Sequence, residues 1–263
     1  NEADLMLYVT GVTVPKLNQE KLRSIPIPLP PLEVQKEIVS EIEGYQKIID
    51  GARAVIDNYR PHIAIDPEWP MVEIGDIYLI EYGIAESIPE NLDPEGIRII
   101  STAEAKIDGT LDLSKIRRIK KRPSYDKFIL ERDTLLFNWR NAPKHVGKTV
   151  IFNESDGDYV YASFLLSLTK KIPKVENRFV CVILNQLREA GYFMRMSRQA
   201  VNQTNFNATE LAKTHIPLPS HEIQRAIVAE IEAEQALVNN NRELIERMEK
   251  KIQAVLARIW GEG

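Results

Sequence analysis

Cationic side chains are concentrated between Lys115 and Lys148. That stretch contains eleven Lys or Arg residues against three acidic residues, although the 263-residue chain carries a formal net charge of −4 at pH 7. Lys and Arg bind phosphate groups whatever the base sequence, so a dense basic run suits contacts with a nucleic-acid backbone. The run comprises Lys115, Arg117, Arg118, Lys120, Lys121 and Arg122. The sequence therefore predicts a local phosphate-binding surface on a globally acidic chain.

A second group of polar side chains follows in a predicted hairpin loop. Arg can form two hydrogen bonds with guanine in the major groove, and Asn can do the same with adenine. The loop residues that suit base reading, with the cations beside them, are Asn138, Arg140, Asn141, Lys144 and Lys148. The alternative interpretation is an ordinary polar surface loop.

A third group of candidate base readers comes after a predicted helix. It combines guanidinium and amide side chains within eleven residues, and both can bond to base edges. Its members are Arg195, Arg198, Gln199, Asn202, Gln203 and Asn205. The alternative of a solvated polar loop applies here as well.

Sequence signals for catalysis are missing. The Asn/Asp-Pro-Pro-aromatic motif of adenine methyltransferases is absent, because Pro30-Pro31 is preceded and followed by Leu. Gly147-Lys148-Thr149 resembles the end of a P-loop, but Ala142 occupies the place of the required first glycine. The sequence shows no Gly-rich cofactor loop, no nucleophile–base pair and no zinc-ligand spacing. We therefore expect a non-catalytic chain without cofactor or metal.

Composition narrows the classes of protein to which the chain can belong. The longest apolar run, Phe179–Leu184, is far shorter than the ~18–20 residues that cross a bilayer, so no membrane role is expected. Cys181 is the only cysteine, which excludes an internal disulfide and fits a reducing cytoplasm. The chain starts at Asn1 without a leader sequence, and we expect it to be part of a longer protein.

An internal repeat with an offset of 189 residues organises the chain. Residues 17–43, here called copy one, read LNQEKLRSIPIPLPPLEVQKEIVSEIE, and residues 206–232, here called copy two, read FNATELAKTHIPLPSHEIQRAIVAEIE. Thirteen of the 27 aligned positions are identical. Each copy is expected to place an extended segment before a helix, because proline fixes φ and disfavours helix at the preceding residue.

Both predicted helices carry an apolar heptad pattern. The first runs from Leu32 to Arg60, before Pro61, and the second starts near His221 in the same register, interrupted at Glu234 and Asn241. Matching registers favour an antiparallel coiled coil over two unrelated amphipathic helices on a globular core. The predicted seams are Ile38, Ile42, Tyr45, Ile49, Ala52, Ile56 and Tyr59 in the first helix, and Ile227, Ile231, Val238, Ile245, Met248, Ile252, Val255 and Ile259 in the second.

The residues between the helices have the sequence pattern of a mixed α/β domain. Helical periodicity covers Val175–Met196, and β-branched runs broken by Gly and Pro predict the strands. These strands are Met71–Ile80, Ile97–Ser101, Thr134–Phe137, Thr149–Phe152 and Tyr159–Leu168. The predicted fold class is α+β, a mixed domain flanked by two long helices that form an antiparallel coiled coil.

The motifs resemble those of a known family. The segment Pro28-Leu29-Pro30-Pro31-Leu32-Glu33-Val34-Gln35-Lys36-Glu37-Ile38-Val39, which returns before the second helix, resembles the conserved regions of type I restriction–modification specificity subunits. Trp69–Ile77 is similar to the W-x-x-V-x-L-G-D start of their target recognition domains. Glu131–Phe137 with Val146–Lys148 is similar to a hairpin of the same domain. The resemblance extends over essentially the whole chain.

The resemblance implies a division of the chain. Residues 17–60 would be the first conserved region with its long helix, 61–70 a linker, 71–205 the target recognition domain, and 206–260 the second conserved region. The family usually has two recognition domains, whereas only one is complete here. Residues 1–16 take the place of 190–205 at the repeat offset, so we expect them to be the remnant of a first recognition domain.

The resemblance also implies a function. Such a chain would read one half of a bipartite site in double-stranded DNA and dock DNA methyltransferase (modification) subunits, with a restriction subunit joining through the complex. Catalysis would belong to those other subunits. Three alternatives stay open: the specificity segment of a fused DNA adenine methyltransferase, an enzyme that acts alone on DNA, and a coiled-coil adaptor that binds protein alone. A homodimer of the chain stays open as well. The DNA target sequence does not follow from these residues.

Overall fold

The computed structural model describes residues 17–25, 27–86, 93–154, 159–200 and 203–260, and for 198–200, 203 and 204 it describes the backbone only. The predicted remnant, residues 1–16, lies outside the described residues. The chain divides into two compact units. The helical unit comprises Asn1–Tyr59 and Val238–Gly263, and the mixed unit comprises Arg60–Leu237.

The helical unit is built from two long helices and one short helix. These are α1 (Gln19–Arg23), α2 (Leu32–Asn58) and the second half of α7 (His221–Trp260). Three side-chain pairs join α2 to α7: Arg53 with Glu249 at 3.0 Å, Arg258 with Glu41 at 2.9 Å, and Lys251 over the ring of Tyr45 at 5.3 Å. Residue numbers rise along α2 as they fall along α7, so the two helices are antiparallel.

The predicted heptad seam is confirmed by burial within this unit. Ile49 and Ala52 of α2 are buried, and the other predicted α2 positions are half-buried. On α7, Val238, Met248 and Val255 are buried and the seam positions between them are half-buried. The first helix ends at Asn58, not at the predicted Arg60. Pro61 restricts the residue before it to extended backbone, and Tyr59 is already extended, with ψ of 128°.

The mixed unit contains a four-stranded antiparallel sheet at its centre. Its strand order is β2-β9-β5-β7, formed by Tyr78–Tyr82, Leu165–Lys170, Thr134–Asn138 and Thr149–Phe152. The predicted hairpin is confirmed, because Thr134 pairs with Phe152 and Phe137 with Thr149. Leu135, Leu136, Phe137 and Val150 are all buried, since β5 and β7 are covered on both faces.

Three smaller sheets surround this centre. One has the order β4-β3-β8, formed by Arg117–Ile119, Ile97–Ile100 and Tyr159–Tyr161. A second pairs β1 (Met71–Glu73) with β12 (His215–Pro217). The third, order β10-β11-β6, is formed by Arg198–Ala200, Gln203–Asn205 and Arg140–Asn141.

Helices cover the central sheet on one side. They are α4 (Asn177–Glu189) and α5 (Tyr192–Met196), joined by Gly191 at φ +73°. Val175–Met196 is therefore two helices where one was predicted, because a residue in the left-handed region ends the first. The elements α3 (Ile74–Ile77) and α6 (Ala208–Ala212) are single turns.

Two predicted strands are each split in the structure. Met71–Ile80 divides into β1, the helical turn α3 and β2, with Ile74, Ile77 and Tyr78 buried at helical spacing. Tyr159–Leu168 divides at residues 162–164 into β8 and β9, which belong to different sheets. Apolar runs of this length do not distinguish one strand from two short elements.

Candidate nucleic-acid interface

The sheet β10-β11-β6 brings together two of the predicted base-reading groups. The loop between β5 and β7 contributes β6, where Asn141 pairs with Thr204 and Arg140 pairs with Asn205. The segment after α5 contributes β10 and β11 as an antiparallel pair. Groups that are separated by more than fifty residues in sequence therefore form one surface element. The backbone ladder fixes the loop relative to the segment that follows α5.

The base of the loop is tied by main-chain bonds. The N–H of Asn138 donates to the carbonyl of Lys148 at 2.8 Å, and the N–H of Gly147 donates to the carbonyl of Asn138 at 2.8 Å. Gly147 has φ +86°, and a Cβ at this position would overlap the ring of Phe193. A side chain at position 147 would be strained in this backbone conformation and would overlap Phe193, so the end of the loop requires glycine.

Two predicted contact residues, Asn138 and Lys148, are corrections to the sequence analysis. Both side chains are buried. The ammonium of Lys148 donates to the carbonyl of Thr102 at 2.9 Å and to that of Ala105 at 2.6 Å. Burial, followed by the nearby charge of Arg188, lowers the pKa of Lys148. A buried cation that bonds two internal carbonyls is expected to have a structural role.

Arg140 and Asn141 lie on the partly exposed side of the loop. The Arg140 guanidinium stacks over the ring of Phe164 at 5.0 Å, and the Asn141 carboxamide accepts the N–H of Ala142 at 2.8 Å. Trp139 donates its indole N–H to the carbonyl of Ser163 at 2.7 Å. Aromatic stacking restricts a guanidinium at little cost in solvation, which pre-organises Arg140 for a planar contact.

The aromatic support of this loop was missed by the sequence analysis. Tyr82 packs edge-on against Trp139 at 5.3 Å, and Phe164 packs edge-on against the same ring at 6.3 Å. Tyr82 and Phe164 are exposed although they are large and aromatic. They come from β2 and from the break between β8 and β9, so no local pattern indicates that they meet.

The tip of the loop combines an exposed cation with a half-buried histidine. Lys144 is exposed, as predicted for a phosphate contact. Burial, followed by the charges of Lys148 and Lys144, lowers the pKa of His145. Buried polar atoms without a hydrogen-bond partner in the described structure include Nδ1 of His145 and the carboxamide oxygens of Asn138 and Asn205. These three polar atoms lie in or beside the loop and its paired strand.

The predicted basic run divides by role. Four cationic side chains are exposed in and around β4: Lys115, Arg117, Lys120 and Lys121. The ion pairs found among the described residues do not include any of these four. Arg118 instead donates to the carbonyl of Gly96 at 2.9 Å, and Arg122 pairs with Glu86 at 2.9 Å while it stacks on Tyr125. The run belongs to the β4-β3-β8 sheet and not to the sheet that holds Arg140.

The third predicted group is only partly described. Arg195 is exposed, and its guanidinium donates to the carbonyl of Ala190 at the end of α4. The backbone of Arg198, Gln199 and Gln203 forms β10 and β11, but their side chains lie outside the described residues, as does Asn202. A role for these side chains in DNA binding stays a prediction.

Other chemistry has little support in the described part of the chain. No group of three or more His, Cys, Asp or Glu side chains there could hold a metal ion. Cys181 is buried, and burial raises the pKa of its thiol to about 12, which keeps it from acting as a nucleophile at neutral pH. None of the described helices has both the length and the apolar character required to span a bilayer.

Comparison with known proteins identifies a matching family. The family described as "Type I restriction modification DNA specificity domain" matches residues 2–57 and 67–250. The matched residues include both copies of the repeat and the whole β5–β7 hairpin.

Two curated relatives have lengths well beyond that of this chain. A protein described as a type I restriction enzyme MjaX specificity subunit, from Methanocaldococcus jannaschii, is 25% identical over 202 residues, which cover 76% of this chain and 47% of the relative. The type I restriction enzyme EcoBI specificity subunit of Escherichia coli is 22% identical over 293 aligned residues, covering 95% of this chain and 58% of the relative. The chain thus spans about half the length of the curated relatives that it matches.

Two solved structures share the fold. A chain from a structure concerned with complex assembly and conformational transition of the type I R-M system has a TM-score of 0.58 and 21% identity, over 95% of this chain and 64% of that chain. The S subunit of a type I restriction–modification system from M. genitalium has a TM-score of 0.53 and 13% identity, over 96% of this chain and 68% of that chain. Both support the predicted α+β fold class.

Proposed function

Since the chain belongs to the type I restriction modification DNA specificity domain family, we propose that it recognises double-stranded DNA sequence for a type I restriction–modification system. The observation that carries this proposal is the β10-β11-β6 sheet, which joins two predicted base-reading groups on one surface element. Arg140, stacked on Phe164, and Asn141 are the proposed base readers. Both side chains can make the paired hydrogen bonds that distinguish guanine and adenine.

Exposed cations supply the sequence-independent part of the proposed binding. Lys115, Arg117, Lys120 and Lys121 project from the region of β4, and Lys144 lies at the loop tip. Phosphate contacts set orientation and register on the duplex, whereas base contacts provide selectivity. A basic surface of this kind also accounts for DNA binding by a chain whose sequence pI is about 5.7.

In the proposed role, this chain recognises DNA and its partner subunits carry out catalysis. The chain would be cytoplasmic and would read one half of a bipartite site through residues 71–205. It would also dock modification subunits. The chain itself would be non-catalytic, and methylation and cleavage would be carried out elsewhere in the complex. The antiparallel pair α2 and α7 supports this arrangement, because 27 residues of α2 extend about 40 Å at ~1.5 Å per residue. That length is comparable with the ~34–36 Å between half-sites one helical turn apart.

The proposal is tested by separating base reading from general affinity. Arg140→Ala and Asn141→Ala are titrated against a duplex selected from a randomised pool and against a scrambled duplex. Removal of a paired base contact is expected to cost about 1–3 kcal/mol on the selected duplex and much less on the scrambled one. Arg132→Ala and Asn153→Ala are the matched controls, because both residues lie at the opposite end of the β5–β7 hairpin.

The comparison of the two duplexes defines the contrary result. If Arg140→Ala and Asn141→Ala weaken both duplexes equally, as removal of a phosphate-binding side chain would, base reading does not reside in this loop. If no duplex is bound even at low salt, the chain is not a DNA-recognition element, and the protein-binding adaptor becomes the supported function.

A further inference from the structure

An aromatic patch lies beside the loop between β5 and β7. It consists of Tyr82, Trp139 and Phe164, whose rings pack edge-on at centroid distances of 5.3 Å and 6.3 Å. Tyr82 is 45% exposed and Phe164 is 39% exposed, and neither is a member of the three hydrophobic cores found in the described part of the chain. Apolar surface that packing leaves uncovered beside a binding loop is a candidate contact with a ligand.

Main-chain bonds hold Phe164 in a fixed position against the loop. The N–H of Trp139 donates to the carbonyl of Phe164 at 3.2 Å, and the indole N–H of Trp139 donates to the carbonyl of Ser163 at 2.7 Å. The next residue, Leu165, is 0% exposed, and its N–H donates to the carbonyl of Ala162 at 3.0 Å. The ring therefore loses little conformational entropy when a ligand packs on it.

The two exposed rings differ in their partners. The hydroxyl of Tyr82 accepts the N–H of Ala208 at 3.1 Å, which ties this ring to the first residue of α6. Phe164 instead carries the guanidinium of Arg140, whose central carbon is 5.0 Å from the ring centroid. Of the two, Phe164 is thus the ring that accompanies a proposed base reader.

The stack with Arg140 sets the level at which Phe164 would meet a duplex. A guanidinium that makes paired hydrogen bonds to guanine lies near the plane of that base pair. A ring stacked on the guanidinium then lies above or below that plane, along the helix axis. The 5.0 Å separation is more than one base-pair step of ~3.4 Å and less than two. Phe164 is therefore level with a neighbouring base pair.

Thymine is the base whose edge suits such a ring. In the major groove, guanine, cytosine and adenine present hydrogen-bond donors and acceptors, whereas thymine also presents its 5-methyl group. Covering a polar edge with aromatic carbon would remove its water without a replacement hydrogen bond, which costs free energy. Covering the methyl group instead removes apolar surface of both partners from water, which is favourable.

We propose that Phe164 reads the 5-methyl group of a thymine in the base pair next to the guanine that Arg140 contacts. The proposal rests on the proposed function, because it requires Arg140 to enter the major groove. It adds a specificity-determining residue that is apolar and lies outside the three predicted groups of contact residues. It also defines part of the target, because the half-site must contain a G·C pair directly beside an A·T pair.

The test first locates the guanine and then removes the methyl group beside it. In the selected duplex, 7-deazaguanine replaces each guanine in turn, because it lacks the N7 acceptor. The guanine whose replacement weakens binding to the original chain but not to Arg140→Ala is the one that Arg140 contacts.

Uracil then replaces the thymines of the two neighbouring base pairs, on either strand. Uracil lacks the methyl group and keeps every hydrogen-bonding group of thymine. One of these replacements is expected to weaken binding by about fourfold, since burial of a methyl-sized group contributes ~0.8 kcal/mol.

Variants of Phe164 separate methyl reading from support of the loop. In Phe164→Ala, the thymine and uracil duplexes are expected to bind with equal affinity, because the surface that covers the methyl group is gone. Phe164→Leu keeps apolar surface and should retain part of the preference for thymine. Ile172→Ala is the matched control and should retain all of it, because Ile172 is 41% exposed and follows the opposite end of β9. A merely structural role of Phe164 would weaken both duplexes by the same factor and leave the preference unchanged.

Two results would overturn this proposal while the proposed function stands. The first is a selected site with no A·T pair next to the guanine that Arg140 contacts, or one whose thymine and uracil forms bind the original chain equally. This result does not require any variant of Phe164 to fold. The second is a preference for thymine that persists in full in Phe164→Ala, because another group would then read the methyl. A chain that prefers no duplex, or binding in which no guanine depends on Arg140, would contradict the proposed base reading itself and this proposal with it.

Discussion

Arg140 and Asn205 lie opposite each other in the antiparallel ladder between β6 and β11. This pairing attaches the tip of the β5–β7 hairpin to the segment that leads into copy two. The next residue strengthens the attachment, because the N–H of Phe206 donates to the carbonyl of Trp139 at 2.8 Å and the Phe206 ring is buried. A loop held by a ladder on one side and a core aromatic on the other loses little entropy when it binds a ligand.

The exposed lysines of the basic run should act through phosphate alone. We expect Lys120→Ala with Lys121→Ala to weaken binding to selected and scrambled duplexes alike, because an ammonium binds phosphate whatever the base. The slope of log affinity against log salt should fall by about 0.9 for each phosphate that the protein no longer neutralises. Lys250→Ala, an exposed lysine of α7, is the control and should leave the slope unchanged. Weakening confined to the selected duplex would contradict this assignment.

Lys148 should behave as a structural residue. Replacing it with Met leaves the carbonyls of Thr102 and Ala105 without their donor, which is expected to lower the free energy of unfolding by about 1–3 kcal/mol. Lys144→Met, four residues away on the exposed tip, should instead leave stability nearly unchanged and reduce the salt dependence of DNA binding. Urea titration measures the stability of both variants, and salt titration of DNA binding measures the loss of phosphate contacts. An exchange of the two outcomes would place Lys148 at the interface.

The stability of the mixed unit should depend on His145 in acid. Burial and the neighbouring lysines hold the pKa of His145 below its ordinary value of 6.5, so the unfolded chain takes up the proton more readily than the folded chain. The stabilising contribution is therefore present above pH 6.5 and is lost as the pH falls through the folded pKa. His145→Gln should remove that part of the acid dependence. The measurement is urea unfolding between about pH 7.5 and 4.5, a range that spans the ordinary histidine pKa. Identical pH profiles of the free energy of unfolding for the original protein and His145→Gln would contradict this prediction.

Two adjacent isoleucines of α2 test the helix pairing. Ile49 is 2% exposed and Ile48 is 42% exposed, although their chemistry is the same. Ile49→Ala should destabilise the helical unit by about 2–5 kcal/mol, the usual cost of truncating a buried isoleucine. Ile48→Ala should change it by less than about 0.5 kcal/mol. Far-ultraviolet circular dichroism during urea unfolding follows the long helices, and equal effects of the two substitutions would argue against the assigned seam.

The sequence predicted features that depend on local periodicity. The heptad seam and the start of each long helix follow from residue spacing, because each helix buries one face. The two strands of the β5–β7 hairpin follow from their apolar, β-branched runs. The strand Thr149–Phe152 has the predicted bounds. Heptad-patterned helices on either side of β-branched runs predicted the α+β fold class, which the structural comparisons support.

Features that depend on distant contacts could not be predicted. Lys148 is charged and follows a glycine loop, which indicates exposure, yet Thr102 and Ala105 supply carbonyls from more than forty residues away. The strand β6 has only two residues and exists because β11 pairs with it. Arg118 and Arg122 look identical to their neighbours in sequence, and only the partners Gly96 and Glu86 distinguish them.

The glycine at the end of the hairpin loop has a consequence for how recognition can diversify. Gly147, with the buried Asn138 and Lys148, fixes the two points where the loop leaves and rejoins the sheet, while residues 140–144 make no contribution to the buried core. Substitutions at residues 140–144 are therefore expected to alter the chemistry of the tip with little effect on the folding of the domain. With this loop as the proposed base reader, substitution of a few residues in it would change the target preference while the scaffold stays the same.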